Sequence, residues 1–203
     1  ALAALYRRTG QAHIVGVTGS PGAGKSTLVN ALAKAYRQRG YTAGIVAVDP
    51  TSPFTGGALL GDRVRMRDLS GDPGVFIRSM ATRGSLGGLA QATADVILAL
   101  DAAGFQRILV ETVGVGQSAT AVHSMVAFFL LLMLAGAGDE LQGIKRGIME
   151  MADAIVINKA DGDNVSKAKL AAREYKNALH LFPASPSGWS PMVLTASSTD
   201  GSG

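Results

Sequence analysis

The stretch HIVGVTGSPGAGKSTLVNALAKAYRQRG, residues 13–40, decides the fold. An apolar, β-branched run (13–18) leads into GSPGAGKS, residues 19–26, and a helix-like segment continues to Gly40. The middle piece matches the G-x-x-x-x-G-K-[ST] pattern in the strand–loop–helix context that this pattern requires. Backbone N–H groups of such a loop surround phosphate oxygens, and the helix N-terminus adds partial positive charge. The stretch predicts a phosphate-binding loop, whereas a plain glycine-rich turn would leave the lysine and serine unexplained.

Each residue type in this loop has an expected task. We expect Lys25 to reach the β and γ phosphates and to take part in catalysis, and Ser26 to offer its hydroxyl to Mg²⁺. The predicted phosphate-binding residues are Gly19, Pro21, Gly22, Ala23, Gly24, Lys25, Ser26 and Thr27.

Composition excludes several function classes. The 203 residues are 47% hydrophobic and 17% charged, as in a globular domain, and they contain no cysteine, which excludes disulfides and thiolate metal sites. We therefore expect a reducing compartment: the cytoplasm, or the mitochondrial matrix in a eukaryote. The net charge of +4 is dispersed, so we expect no nucleic-acid partner. The longest apolar stretch, 125–137, is too short to span a membrane and reads as a buried strand.

Short apolar runs alternate with helix-like segments along the whole chain. The predicted strands are 13–18, 43–49, 74–79, 107–112, 128–134, 154–158 and 192–197, and the predicted helices are 24–40, 86–104, 139–153 and 164–182. This alternation predicts an α/β fold of the P-loop NTPase type, with three α/β/α layers around a mainly parallel sheet of about seven strands. Ligands bind at the carboxyl ends of such strands.

A second motif indicates which base is bound. NKAD, residues 158–161, follows a predicted strand and resembles the guanine-reading motif of GTPases. An aspartate accepts hydrogen bonds from the guanine N1–H and 2-amino groups, and adenine offers no such pair of donors. We expect Asn158, Lys159 and Asp161 to contact the base, and Ser197 and Ser198 in TASS (195–198) to lie beside its carbonyl. The alternative role for Asp161 is a helix N-cap.

Three acids lie at strand ends or in a glycine-bounded loop, where a metal would be held. Mg²⁺ prefers oxygen ligands and often binds one or two carboxylates with waters and phosphates. We expect Asp49, Asp62 and Glu111 to form this shell together with Ser26. Glu111 takes the place where many GTPases have the aspartate of Asp-x-x-Gly, and Gly114 keeps the spacing, so its N–H is expected to sense the γ-phosphate.

Arginines and a glutamine near these acids are candidates for catalysis. Arg63, Arg65 and Arg67 follow Asp62, and one of them is a candidate arginine finger, with a solvated basic loop as the alternative. Gln117 is the nearest candidate for orienting water, because the sequence supplies no obvious general base. The three histidines are scattered without ligand spacing and are expected to be structural or exposed.

With these motifs in view, the chain resembles the G domain of the MeaB and MMAA-type GTPases, also labelled ArgK or LAO/AO transport system ATPase. The resemblance runs from TGQAHIVGVTGSPGAGKST to TASSTDGSG. Its most specific pieces are VDPTSPFTGGALLGDRVRM, MATRGSLGGLA, ETVGVGQS and GAGDELQGIKRGIMEMAD.

The resemblance implies a Mg²⁺-dependent enzyme that hydrolyses GTP to GDP. It implies a chaperone that gates adenosylcobalamin delivery to methylmalonyl-CoA mutase and protects that mutase. Arg65 is then the arginine expected to face the phosphates. Segment 136–147 corresponds to the family's extra switch, so Asp139, Gln142 and Lys145 would couple nucleotide state to the mutase. The alternative for this segment is an amphipathic helix start capped by Asp139.

The resemblance also sets the expected domain layout. Residues 1–12 read as the end of an N-terminal helical extension and residues 13–203 as the GTPase domain, without the C-terminal dimerisation arm. Full-length relatives are expected to be homodimers. Three alanines depart from the family's usual residues: Ala119 and Ala127 replace acids, and Ala135 replaces a proline.

Two other kinds of function remain open from the sequence. One is a nucleotide-gated scaffold with little hydrolysis. The other is a metal-delivery GTPase or ATPase of the same P-loop class. An ATPase of this class should lack NKAD, and nickel-delivery GTPases usually carry histidine or cysteine clusters that this sequence does not have.

Overall fold

A computed structural model of the protein describes residues 5–49, 66, 68–81, 86–112, 116–136, 146–183 and 188–198, with the backbone alone at Asp49, Ala81, Leu86 and Arg146. Within these residues seven strands form one sheet: β1 (His13–Gly19), β2 (Ala43–Asp49), β3 (Val75–Ala81), β4 (Arg107–Thr112), β5 (Phe128–Leu134), β6 (Ala154–Asn158) and β7 (Met192–Thr195). The strand order is β3-β2-β4-β1-β5-β6-β7, and every neighbouring pair is parallel. The predicted sheet is confirmed.

Five α-helices connect the strands in the described part of the chain: α1 (Lys25–Gln38), α2 (Leu86–Ala102), α3 (Gln117–His123), α4 (Arg146–Met151) and α5 (Val165–Leu179). Short 3-10 helices lie at Tyr6–Arg8 and Gly162–Asn164. Four helices fall within the predicted segments, although residues 139–145 of the third segment lie outside the described residues. The sequence did not predict α3, because it is only two turns long and follows a glycine-rich run.

The strands bury both faces, which makes the fold three-layered. Successive side chains of a strand point to opposite faces. Accordingly, Ile45 of β2 belongs to the apolar cluster that includes Val29 and Ala33 of α1. Its neighbour Val46 belongs to the cluster on the opposite face, with Leu89, Ile97 and Leu100 of α2 and Val122 of α3. A third cluster packs α4 and α5 against β5 and β6.

The longest apolar stretch of the sequence is a central strand. Phe129, Leu131, Leu132 and Met133 of β5 are fully buried, as predicted. No helix formed by the described residues is long and apolar enough to cross a membrane.

A single carboxylate fixes the segment before β1. Asp101 lies in the last turn of α2, where the helix dipole disfavours an acid, yet it is only 7% exposed. Its Oδ2 accepts a hydrogen bond from the N–H of Gly10 at 2.6 Å, and Oδ1 accepts from the N–H groups of Gln11 at 3.2 Å and Ala12 at 2.9 Å. Three backbone donors therefore compensate the buried charge and set where β1 begins.

Replacing this carboxylate should destabilise the fold. We expect Asp101→Ala to lower the free energy of unfolding by about 2–3 kcal/mol, because three N–H groups lose their acceptor. Asp101→Asn should lose less, since the amide oxygen still accepts. The measurement is urea denaturation followed by circular dichroism. Asp95→Ala on the same helix removes only an exposed contact with Gln91 and should stay within about 0.5 kcal/mol of the parent. Equal losses in the two alanine variants would contradict this role of Asp101.

Candidate functional site

The loop between β1 and α1 lies at the carboxyl edge of the sheet. β1 ends at Gly19 and α1 begins at Lys25, with Gly24 as its N-cap residue. A side chain at Gly19 would collide with the carbonyl oxygen of Leu132 on β5. Only glycine therefore lets the loop leave the sheet so close to the neighbouring strand.

Gly24 joins this loop to a second predicted motif. Its φ of 91° is left-handed, and a Cβ at this position would lie 2.5 Å from Nδ2 of Asn158. That amide nitrogen donates a hydrogen bond to the carbonyl oxygen of Ala23 at 2.8 Å. The phosphate loop and the NKAD motif therefore touch, as neither motif alone could indicate.

Lys25 is folded back onto its own loop. Its Nζ donates to the carbonyl oxygens of Gly19 at 2.9 Å and Ser20 at 3.0 Å, and the residue is only 9% exposed. Burial lowers the pKa of the Lys25 ammonium, and the nearby Glu111 carboxylate opposes that shift. The ammonium lies at the inner side of the loop, within reach of anions placed there.

Ser26 and Glu111, two of the predicted metal ligands, are in direct contact. The Ser26 hydroxyl donates to Oε1 of Glu111 at 2.7 Å, although 85 residues separate the two in sequence. β4 brings them together, because it is the neighbour of β1 and carries Glu111 beside Val17. Glu111 is only 7% exposed, so its carboxylate is held among protein atoms and not in open solvent.

A pair of hydroxyls next to this contact was missed by the sequence analysis. Thr112 Oγ1 donates to Thr18 Oγ1 at 2.9 Å, and both residues are fully buried. This bond joins β4 to β1 one residue beyond Glu111 and helps to fix its position. The available signal was a polar residue at the end of each apolar run, which is unusual for buried strands.

Asn158 also binds the TASS segment. Its Oδ1 accepts hydrogen bonds from the backbone N–H of Ser198 at 3.2 Å and from the Ser198 hydroxyl at 2.8 Å. Together with its bond to Ala23, Asn158 therefore connects three loops that the sequence places far apart. The side chain is 2% exposed, which fits a bracing role within the site.

Asp161 and Ser197 form the second contact between these loops. The Ser197 hydroxyl donates to Oδ2 of Asp161 at 2.6 Å, and the N–H of Ala160 donates to the carbonyl oxygen of Ala196 at 3.1 Å. Asp161 precedes the 3-10 helix Gly162–Asn164, but its side chain makes no capping hydrogen bond there. The predicted alternative, a helix cap, is therefore not the role of this carboxylate.

Lys159 has a left-handed backbone. Its φ of 57° makes it the one non-glycine residue with positive φ in the described part of the chain, a conformation that costs about 1–2 kcal/mol. Asn164 Nδ2 donates to its carbonyl oxygen at 2.8 Å and stabilises the turn. Such strained residues cluster at functional sites.

Some of the remaining predicted residues are described by the structure, and the others lie outside the described ranges. Pro21, Gly22, Thr27 and Gln117 are exposed, and Ala23 is fully buried. Asp49 ends β2, with only its backbone described. The predicted residues outside the described ranges are Asp62, Arg63, Arg65, Arg67, Gly114, Asp139, Gln142 and Lys145. Among the described residues, no group of three or more histidine or acidic side chains is arranged to hold a metal.

Substitutions at two glycines of the loop distinguish the cost of backbone strain from the cost of a steric clash. Gly22 has a φ of 78° and open space where a Cβ would lie, whereas Gly24 has the Asn158 amide there. We expect Gly22→Ala to lower the free energy of unfolding by about 1–2 kcal/mol through strain alone. Gly24→Ala should lose clearly more, because it also displaces Asn158 from Ala23. Urea denaturation of both variants measures the difference, and equal losses would show that the Asn158 contact does not restrict Gly24.

The chain is similar to several known proteins. The family model described as Methylmalonyl Co-A mutase-associated GTPase MeaB matches residues 1–203. A Mycobacterium tuberculosis protein named as a probable GTPase is 50% identical over 199 residues, which are 98% of this chain and 59% of the relative. The mouse protein named methylmalonic aciduria type A homolog, mitochondrial, is 47% identical over 189 residues, which are 93% of this chain and 46% of the relative.

A solved structure described as LAO/AO transport system kinase has the same fold. It superposes with a TM-score of 0.82 at 38% identity and covers 100% of this chain and 58% of that one. The chain thus spans less than two thirds of the length of each of these proteins. The likeness confirms the predicted P-loop fold, and the matching family model and relatives show that the chain belongs to the MeaB family of GTPases.

Proposed function

We propose that the chain binds GTP with Mg²⁺, hydrolyses it to GDP, and uses the nucleotide state to gate adenosylcobalamin delivery to methylmalonyl-CoA mutase and to protect that enzyme. The observation that carries the nucleotide part is the hydrogen bond from Asn158 to the Ala23 carbonyl. It holds the base-reading motif against the phosphate loop, so both ends of one nucleotide meet a single rigid unit.

Guanine selectivity rests with Asp161. Its carboxylate presents two acceptors to the N1–H and 2-amino donors of guanine, and adenine has no matching pair. The Ser197 hydroxyl donates to one carboxylate oxygen, which restricts the rotation of the side chain. We propose that Ser197 and Ser198 lie beside the guanine carbonyl, because their hydrogen bonds to Asp161 and Asn158 keep the loop 195–198 next to the base-reading motif.

In this proposal the phosphates bind to the loop 19–26 and to Lys25. The Lys25 ammonium now donates to two loop carbonyls, and phosphate oxygens are stronger acceptors for a cation. We propose that Lys25 exchanges these carbonyls for the β and γ phosphates when GTP binds. Its lowered pKa reflects burial, and an incoming polyanion would favour the charged form.

Mg²⁺ fits the donors that the structure brings together. Ser26 and Glu111 offer a hydroxyl and a carboxylate 2.7 Å apart, and a Mg²⁺ site usually needs only one or two carboxylates beside waters and phosphates. We propose that these two residues hold the ion, with Asp49 and Asp62 completing the shell. The bound ion supplies neutralisation of charge on the β and γ phosphates.

Hydrolysis needs two further roles. We propose that Gln117, at the exposed start of α3, orients the attacking water and that Arg65 stabilises charge on the transferred phosphoryl group. No general base stands out in the sequence, so turnover by the chain alone should be slow. A nucleotide-gated scaffold with little hydrolysis is the competing proposal.

The mutase as partner is supported by the family description. We propose that Asp139, Gln142 and Lys145 transmit the nucleotide state to the mutase. We also propose that full-length relatives form homodimers, and that the protein works in the cytoplasm or the mitochondrial matrix. Ala119 is fully buried in the cluster with Val122 and Phe129, so a carboxylate there would be desolvated. We infer that Ala119 serves packing and that the partner response depends on other residues.

The base preference can be tested by replacing a carboxylate oxygen of Asp161, which accepts hydrogen bonds, with an amide nitrogen, which donates them. We expect Asp161→Asn to weaken GTP binding by about tenfold to a hundredfold, because one guanine donor then faces an amide N–H₂ and a charge-assisted bond is lost. The variant should gain affinity for xanthosine triphosphate, whose 2-oxo group accepts from that amide. Titration with fluorescent nucleotides measures both.

Asp163→Asn provides the matched control, since Asp163 is exposed two residues further along the chain. It should bind GTP as the parent does. If Asp161→Asn keeps the parent's preference for GTP over xanthosine triphosphate, Asp161 does not recognise the base. Tight binding of ATP by the parent would contradict the proposal that the nucleotide is GTP.

The partner can be tested by single-turnover hydrolysis of GTP with Mg²⁺. We expect methylmalonyl-CoA mutase to raise the rate constant by about tenfold or more, equivalent to about 1.4 kcal/mol of barrier. Serum albumin should leave the rate unchanged, and Lys25→Ala should stay inactive with or without the mutase. GTP binding without any response to the mutase would retain the nucleotide site and reject the partner.

A further inference from the structure

Thr112, the last residue of β4, is held by two neighbouring strands in different ways. Its backbone lies in parallel register with Val48 of β2. On the other side, the register of β4 with β1 reaches the pair Val17 and Glu111, and Thr112 lies one residue beyond it. There the Thr112 hydroxyl donates to Oγ1 of Thr18 at 2.9 Å. A side-chain hydrogen bond therefore continues the link to β1 beyond the last pair of that register.

The end of β1 is fixed from both sides. Its last register pairs, Thr18 with Leu131 and Gly19 with Leu132, are with β5. Gly19 lies so close to β5 that a Cβ there would collide with the Leu132 carbonyl oxygen. The bond between Thr18 and Thr112 is the tie on the β4 side, one residue before the loop 19–26 begins.

Three of the predicted magnesium ligands lie on the segments that Thr112 connects. Glu111 precedes it in β4, and Asp49 follows its register partner Val48 in β2. Ser26 stands at the far end of the loop that β1 leads into, and its hydroxyl donates to Glu111 at 2.7 Å. Mg²⁺ demands near-ideal octahedral geometry with short ligand distances, so a small displacement of one ligand weakens its binding. A residue that fixes all three segments meets this demand.

Two buried hydroxyls at this point serve position better than packing. Both threonines are fully buried, and Val110, two residues before Thr112 on the same face of β4, belongs to an apolar cluster. Replacing two hydrogen-bonded groups by apolar groups of the same shape can be nearly neutral for stability. A hydrogen bond, however, is directional, so it restricts the relative position of two strands more than an apolar contact does.

We propose that Thr112 is a positioning residue of the magnesium site: it ties β4 to β1 and β2 and thereby keeps Glu111 in place relative to Ser26 and Asp49. Its role rests on the proposed binding of GTP with Mg²⁺. Successive side chains of a strand point to opposite faces, so the Thr112 hydroxyl lies on the other face of the sheet from the Glu111 carboxylate. Thr112 acts through the strand ends and through Glu111.

Removing the hydroxyl should raise the requirement for Mg²⁺. The affinity for a fluorescent, non-hydrolysable GTP analogue is measured in EDTA and across a range of Mg²⁺ concentrations, which gives the concentration of half-maximal effect. We expect Thr112→Val to raise this concentration by about tenfold, as loss of an outer contact to a metal site does, and to leave the affinity in EDTA unchanged. Thr112→Ser keeps the hydroxyl and should retain the parent value. An equal rise in Thr112→Ser would overturn the proposal.

Thr42→Val is the matched control, because it removes a bridging hydroxyl at the opposite, amino end of the strands. Thr42 Oγ1 donates to the carbonyl oxygen of Gly104 at 3.2 Å and accepts from the N–H of Gln106 at 3.0 Å. The melting temperature of this variant should fall, but its Mg²⁺ requirement should equal the parent's. If that requirement rises as much as in Thr112→Val, loss of stability alone weakens magnesium binding, and the positioning role is wrong.

Glu111→Gln separates failure of the role of Thr112 from failure of the proposed magnesium site. If Glu111→Gln needs no more Mg²⁺ than the parent, the site itself is wrong. If Glu111→Gln is impaired and Thr112→Val is not, only the role of Thr112 is overturned. Thr18→Val breaks the same bond from the other strand and should reproduce the defect of Thr112→Val. Failure of both valine variants to fold would mean that the bond maintains the fold, and would also overturn the positioning role.

Discussion

The carbonyl oxygens of the loop after β1 need hydrogen-bond donors in a confined space. The arrangement of the rest of the site depends on which groups donate to them. Lys25 satisfies two of them and Asn158 a third. A buried carbonyl without a donor is costly, so these hydrogen bonds stabilise the loop. The loop in turn holds Ser26 against Glu111. The conformation of this one loop therefore brings together the residues predicted to bind the phosphates, the metal and the base.

The parallel sheet makes this convergence possible. All described strands run in the same direction, so their carboxyl ends meet along one edge, where β1, β4 and β6 deliver Gly19, Glu111 and Asn158. Their bodies are apolar and pack on both faces against helices. Polar residues at the strand ends are stabilised by partners from neighbouring segments, as Thr18 and Thr112 are by each other and Glu111 is by Ser26.

The short helix α3 links this edge to the side of the sheet covered by α2. It begins five residues after Thr112 and packs Ala119 and Val122 into the core. A helix of two turns has little intrinsic stability, and its position depends on those contacts.

The sequence by itself determined the local elements and the identity of the chemical groups. Seven short apolar runs and the GSPGAGKS and NKAD motifs predicted the sheet, the loop and the residue types at the strand ends, because hydrophobic pattern and glycine conformation are local properties. It did not predict α3, whose formation depends on packing, nor the non-local bonds of Asn158 to Ala23 and Ser198. Only the tertiary structure decided that Asn158 braces three loops and that Ala119 is buried. Contacts and cavities between segments distant in sequence arise only when the layers pack, and they leave no periodic signal along the chain.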